Sequence, residues 1–236
     1  MSTGNKTLVL IPARMESERF PGKPLARIGE GTLLSTTYEQ AKQVQGADVF
    51  VLTDDPQIRL YCGERSIPVV SSGPDCWCGT NRICSVLYTI KSLGYTTVVN
   101  WQVDEPMVDP KDVERMLNET IDGVFTLYDE PDDYHWRIDE NEVKAVKGRC
   151  DQLFWFTRTW IPSAVRHVGV YSFPVNILNF IYCRPQTDCS KQESLEQLTW
   201  LEYGIRVYGA RCNGEPRSVN TPEDLLYFHE RKNDAN

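Results

Sequence analysis

No stretch of this sequence approaches the roughly 20 consecutive apolar residues that a membrane-crossing helix needs, and mean hydropathy is −0.41. The opening residues, MSTGNKTLVLIPAR, lack a long apolar run ending in small residues. A secretory leader is therefore not expected, and a cytosolic setting is. An excess of positive charge is also missing. Lys and Arg number 25 against 33 Asp and Glu, for a formal net charge of −8 and a pI near 5.0. So acidic a chain, with no basic stripe, excludes nucleic acid and the membrane surface as expected partners. A phosphate anion in a locally basic pocket is not excluded by net charge. C-x-x-C is absent, and His135, His167 and His229 fall at no zinc-ligand spacing from the eight cysteines. Eight cysteines in 236 residues without an export signal predict reduced, partly buried thiols. There is no internal repeat, low-complexity tract or linker-like segment, so one domain over residues 1–236 is expected. Walker A and G-x-G-x-x-G patterns are both missing, which removes the main support for P-loop and dinucleotide-binding readings.

What remains is ordinary globular composition, 41% hydrophobic and 25% charged, with a clear alternation of elements. Thr7–Ile11 (TLVLI) is a short continuous apolar run suited to a strand buried on both faces. Asp48–Leu52, Ile67–Val70 and Thr97–Val103 read as further strands. Leu33–Val44, Gln57–Arg65 and Ile83–Lys91 carry helical spacing, with Pro56 opening the second. Asp109-Pro110 caps and starts another helix that runs through Asn118. Alternation at this interval predicts an α/β fold, a mostly parallel Rossmann-like sheet with helices on both faces. The second half is less regular. Val124–Tyr128, Val143–Lys147, Leu153–Phe156 and Val168–Ser172 read as strands, with 129–142 a polar loop or insertion. Val175–Tyr182, Ser194–Tyr203 and Pro222–Arg231 read as helices, the last with Thr221 and Asp224 spaced like a capping box.

In such sheets ligands sit beyond the carboxyl ends of the strands, where strand order switches. Two loops occupy that position. Residues 12–24 hold Arg14, Arg19 and Lys23 among Pro12, Pro21, Gly22 and Pro24. Proline pre-sets the backbone and glycine permits close approach, so the loop suits a nucleoside triphosphate; a solvated basic turn is the competing reading. The fourth strand ends Gln102-Val103-Asp104-Glu105-Pro106. A carboxylate there needs a cation or a partner, which points either to Mg²⁺ beside phosphate oxygens or to a cap or salt bridge. His167 alone reads as a structural hydrogen-bonder and Glu196 as a solvated helix charge.

Taken together, IPARMESERFPGKPL, VLTDD, CGTNR, WQVDEP, FWFTRTWIP, RHVGVY, LEQLTWLEYG and VNTPEDL resemble, in this order, the motifs of the CMP-Kdo synthetase (3-deoxy-manno-octulosonate cytidylyltransferase) family. The match runs from about Leu8 to His229. The resemblance implies a nucleotidyltransferase fold with an acceptor and dimerisation region at about 125–210. It implies activation of the sugar acid Kdo by CTP, with Mg²⁺, for lipopolysaccharide biosynthesis by a homodimer. Carried over motif by motif, Pro12, Ala13, Arg14, Arg19 and Lys23 would surround the triphosphate, and Gly79, Thr80 and Arg82 would line the nucleotide pocket. Asp104 would hold Mg²⁺, with Arg14, Lys23 and Asp104 carrying the chemistry. Gln102, Arg158, His167, Glu196 and Gln197 would contact the sugar acid. The chain departs from the pattern in four places. Asn220 stands where an acidic metal ligand is usual, so weaker Mg²⁺ binding is expected unless Asp224 or water compensates. Val103 replaces a glycine and would add a side chain where ligand approaches. Cys78 and Asn81 replace Ser and an acidic residue. Only Ser163-Ala164-Val165 lie between Pro162 and Arg166, where the family carries a longer connection. Another sugar-acid acceptor or nucleotide, or a binding protein with little turnover, is compatible with these changes.

Overall fold

The computed structural model describes residues 5–17, 19–119 and 122–233. The ends of the 1–236 span, including the first four residues of MSTGNKTLVLIPAR, and Glu18 lie outside them. The side chain of His229 does too. Strands β1 (Thr7–Pro12), β2 (Arg27–Ile28), β3 (Gly31–Thr32), β4 (Ala47–Thr53), β5 (Val69–Ser71) and β6 (Thr97–Trp101) occupy the first half. Between them lie helices α1 (Leu33–Ala41), α2 (Pro56–Glu64), α3 (Gly79–Cys84) and α4 (Leu87–Ser92). The second half contains α5 (Pro110–Leu117), β7 (Val124–Asp129), α6 (His135–Ile138), β8 (Lys144–Lys147), β9 (Gln152–Thr157) and β10 (Ala164–Pro174). It closes with α7 (Val175–Tyr182), α8 (Asp188–Glu193), α9 (Glu196–Glu202), β11 (Val207–Arg211) and α10 (Asp224–Asn233).

Nine strands form one sheet in the order β5-β4-β1-β6-β10-β7-β11-β9-β8, and β2 and β3 make a separate small hairpin. β5, β4, β1 and β6 pair in parallel. From β10 onward the pairing is mostly antiparallel, β11 with β7 excepted. The chain runs outward from β1 on one side to β4 and β5, and on the other to β6. That reversal is the strand-order switch at which α/β sheets bind ligands. β1 alternates Leu8 and Leu10 into one apolar cluster with Val9 and Ile11 into the other, so both faces are buried.

Side-chain caps fix the helix starts that carry the loops. Thr32 and Ser35 form a reciprocal capping box on α1, and Asp55 accepts from the Gln57 and Ile58 amides at the start of α2. Asp109 accepts from Lys111 N ahead of α5.

Several expected elements differ. The single helix over Ile83–Lys91 is two, α3 and α4. At the break Ser85 Oγ donates to Arg82 O at 2.7 Å and accepts from Gly73 N, which competes with continuation of the helix. The fourth strand stops at Trp101, because Glu105 N bonds to Gln102 O and turns the chain. The polar 129–142 segment contains the short α6. α8, β11 and the β2–β3 hairpin have no counterpart among the expected elements.

Candidate functional site

A cleft of about 1310 Å³ opens at the carboxyl ends of β1 and β6. One wall is the basic loop. Gly22, at φ +74°, closes it: Gly22 N bonds to Met15 O at 2.9 Å and Lys23 N to Phe20 O at 3.2 Å. Lys23 then begins a short 3-10 turn with its ammonium aimed inward. Its Nζ lies 2.5 Å from Asp104 Oδ2 and 3.2 Å from Val219 O. Arg14 is exposed on the cleft and has no ion-pair partner among the described residues. Arg19 reaches across and donates to Asn141 Oδ1 at 2.7 Å.

The adjoining wall is the start of α3, with Pro12 and Ala13 leading into it from β1. Cys78 caps α3, its sulfur accepting from Asn81 N at 3.3 Å, and its thiol bonds to the Glu196 carboxylate. Burial and the neighbouring Glu196 push that thiol well above its usual pKa, so it stays protonated and unreactive. Gly79 faces the cleft, but Thr80 does not. The Thr80 side chain is buried behind the wall, accepting from Asn100 Nδ2, while its amide donates to Glu196 Oε2 at 3.1 Å. Arg82 lines the cleft, and its guanidinium is pinned to Asp54 and Ser72.

β6 ends on the floor. Gln102 N bonds to Gly169 O at 3.1 Å, and Gln102 Nε2 reaches Glu196 Oε1 at 3.4 Å. Val103 lines the cleft at the end of β6; it is 7% exposed and its side chain packs in the apolar cluster beneath the floor. Glu105 is a functional candidate that the sequence reading passed over. Its Oε1 accepts from Gly169 N and from Ser218 Oγ, each at 2.8 Å, while Oε2 is buried without a partner. Burial first, and Asp104 second, raise its pKa to about 8. A Cβ on Gly169 would come within 3.1 Å of both Gln102 Oε1 and Glu105 Oε1, so any larger residue here must push these side chains aside.

The far wall belongs to β10, α9 and the 139–143 loop. His167 is buried, stacked on Tyr171 and bonded through Nε2 to Thr126 Oγ1 at 3.0 Å. Burial lowers its pKa to about 3, so the ring is neutral. Gln197 donates to the Tyr171 hydroxyl, and its Oε1 is buried without a partner. Glu196 is not a solvated helix charge: burial raises its pKa while Cys78, Thr80 and Gln102 hold the carboxylate. Arg158 braces the loop, donating to Glu140 O, Asn141 O and Glu193 O. Tyr171 and Asn141 also line this wall. Tyr171 closes the RHVGVY motif and Asn141 lies in the polar 129–142 segment, but only packing reveals their orientation.

For a divalent cation the relevant groups sit together. Asp104 and Asn220 both line the cleft, and Val219 N bonds to Asp104 O at 2.9 Å, joining the two segments. One carboxylate plus an amide oxygen, with phosphate oxygens and water, is a donor set that fits Mg²⁺. Asp224 does not compensate for Asn220. Its Oδ2 accepts from Asn220 N, Thr221 N and Thr221 Oγ1 and caps the approach to α10.

A cation-bearing loop and a carboxylate at a strand-order switch, facing a polar acceptor wall, define the class as a nucleotidyltransferase. Residues 8–207 match the family described as Cytidylyltransferase. A 3-deoxy-manno-octulosonate cytidylyltransferase of Leptospira interrogans is 36% identical, over 93% of this chain and 93% of that one. An 8-amino-3,8-dideoxy-manno-octulosonate cytidylyltransferase of Shewanella frigidimarina is 33% identical, over 93% and 96%. A solved structure of CMP:2-keto-3-deoxy-manno-octonic acid synthetase complexed with CTP superposes with a TM-score of 0.86 at 28% identity, covering 98% of this chain and all of that one. The chain belongs to the cytidylyltransferase family.

Proposed function

We propose that this chain transfers the cytidylyl group of CTP to Kdo or a closely related sugar acid. The carrying observation is that Arg14, Lys23 and Asp104 share one continuous cleft with His167, Glu196 and Gln197. At about 1310 Å³ the cleft exceeds the 300–1,000 Å³ typical of a single-ligand site, room for a nucleotide and a sugar together. The acceptor hydroxyl oxygen bonds to the α-phosphorus, the bond from that phosphorus to pyrophosphate breaks, and the hydroxyl proton is released. Little covalent work falls to the protein, so positioning and charge neutralisation dominate. Arg14, Arg19 and Lys23 bind the triphosphate, and the Pro12, Ala13, Gly79 and Arg82 wall encloses the nucleotide. Gln102, Arg158, His167, Glu196 and Gln197 orient the sugar acid. Asp104 and Asn220 would hold Mg²⁺, which supplies charge neutralisation on the phosphates.

A cytoplasmic enzyme feeding lipopolysaccharide synthesis is the reading we adopt; no helix among the described residues is long and apolar enough to cross a membrane. A homodimer is supported by apolar side chains exposed on the 125–210 region. Tyr134 and Trp160 there flank Arg137, with Phe154 also exposed. Pyrophosphate release from each of the four NTPs, with and without Kdo and its 8-amino analogue, tests the assignment. Release that requires CTP and a sugar acid supports it. Indifference to the base, or release without any acceptor, refutes it.

A further inference from the structure

The hydroxyl of Thr126 has one proton and three neighbours. Val170 O lies 2.8 Å away, Val168 O 3.3 Å, and His167 Nε2 3.0 Å. The two carbonyls converge because the register between β10 and β7 jumps from Val168 opposite Leu127 to Tyr171 opposite Thr126. Gly169 and Val170 form the resulting bulge, a feature common beside active sites. A carbonyl oxygen only accepts, so the hydroxyl proton goes to Val170. Directed at the imidazole instead, it would leave two oxygens facing lone pair to lone pair at 2.8 Å in a buried site.

The imidazole must therefore supply the proton of the third contact, with Nε2–H donating to Thr126 Oγ1. Burial keeps the ring neutral, so it carries one proton and Nδ1 carries none. Stacking on Tyr171 at 5.3 Å and an edge contact with Phe156 at 5.2 Å hold the ring in place. The ring lines the cleft, and no described residue donates to Nδ1.

We propose that Thr126 is a positioning residue that fixes His167 as the Nε2–H tautomer, leaving Nδ1 as a specificity-determining acceptor for a hydroxyl or ammonium donor on the sugar acid. The tautomer half stands on the hydrogen-bond geometry at Thr126 together with the burial of the ring; the acceptor half rests on the function proposed above. A substrate atom with no proton to give gains nothing at this point of the wall.

Long-range ¹H–¹⁵N correlation spectra of the ¹⁵N-labelled protein read the tautomer directly and need no turnover. In the wild type, a protonated Nε2 and a bare Nδ1 are expected, and Thr126→Ser should preserve that pattern. Thr126→Val removes the acceptor and should give mixed tautomers. It should also raise the KM for Kdo about tenfold, the equivalent of one hydrogen bond, with the KM for CTP little changed. Titration with Kdo should move the Nδ1 resonance and leave Nε2 in place. A protonated Nδ1 in the wild type overturns the tautomer assignment whatever the enzyme does. An active enzyme whose Nδ1 resonance ignores saturating Kdo overturns the acceptor role. A wild type with the expected tautomer but no cytidylyl transfer to any sugar acid overturns the proposed function and, with it, the acceptor role.

Discussion

Lys23 offers a perturbation whose effects on stability and on turnover separate. Its side chain is 12% exposed and that of Asp104 is 19% exposed, and the two are 2.5 Å apart. Lys23→Ala removes this contact and the bond to Val219 O. A hydrogen bond to a charged group contributes about 1.5–3 kcal/mol net. Asp104 stands on the cleft wall, where water can replace the ammonium, so the expected loss is at the low end, about 1–2 kcal/mol. For a chain of this length each kcal/mol corresponds to about 2–4 °C, giving a fall in Tm of about 2–8 °C. Turnover should suffer more. If the ammonium moves onto phosphate as charge develops, kcat/KM falls on the order of 10²-fold, equivalent to about 2.7 kcal/mol. Thermal melts and a pyrophosphate-release assay on the same preparations measure both. A variant with the lower Tm and wild-type kinetics would show that Lys23 only braces Asp104, and the triphosphate role would be refuted.

Asn220→Asp should lower the Mg²⁺ concentration for half-maximal rate by about tenfold, because a carboxylate offsets cation dehydration and an amide does not; Asp104→Asn should nearly abolish turnover. Superimposable Mg²⁺ titrations of the parent and Asn220→Asp would end that idea. His167 gives a pH dependence of definite sign. Its folded pKa, about 3, lies below the 6.5 of an unfolded histidine, so the unfolded chain binds the extra proton between those values. The stabilisation is complete above pH 6.5 and is lost toward pH 3, at up to about 1.4 kcal/mol per unit. Denaturant melts of wild type and His167→Asn at pH 7, 6 and 5 should show the stability gap narrowing as pH falls; a constant gap contradicts a buried neutral ring.

The elements legible in the sequence are those whose signal is local. β1 announces itself by an apolar run buried on both faces, and α2 and α5 by Asp-Pro pairs that cap and start them. β11 is invisible to the same reading because only Val207 and Gly209 of its five residues are buried, and it becomes a strand by pairing with β7. α8 is a polar six-residue turn of helix with no apolar stripe to betray it. The site divides in the same way. A loop rich in cations and proline, and a carboxylate ending a strand, can be reasoned from residue type. That Glu196 is buried rather than solvated, that Thr80 points away, and that Glu105 is buried beside Asp104 with its pKa raised depend on partners far along the chain.

β10 pairs with β6 along one edge and with β7 and β8 along the other. The strand that carries His167, Gly169 and Tyr171 is thus hydrogen-bonded to both halves of the sheet, which ties the cleft floor to its parallel and its antiparallel part alike. At the rim, by contrast, Arg19 meets Asn141 across the mouth through exposed side chains alone. That exposed polar contact is easily exchanged for water, whereas the pairings of β10 beneath it are buried in the sheet.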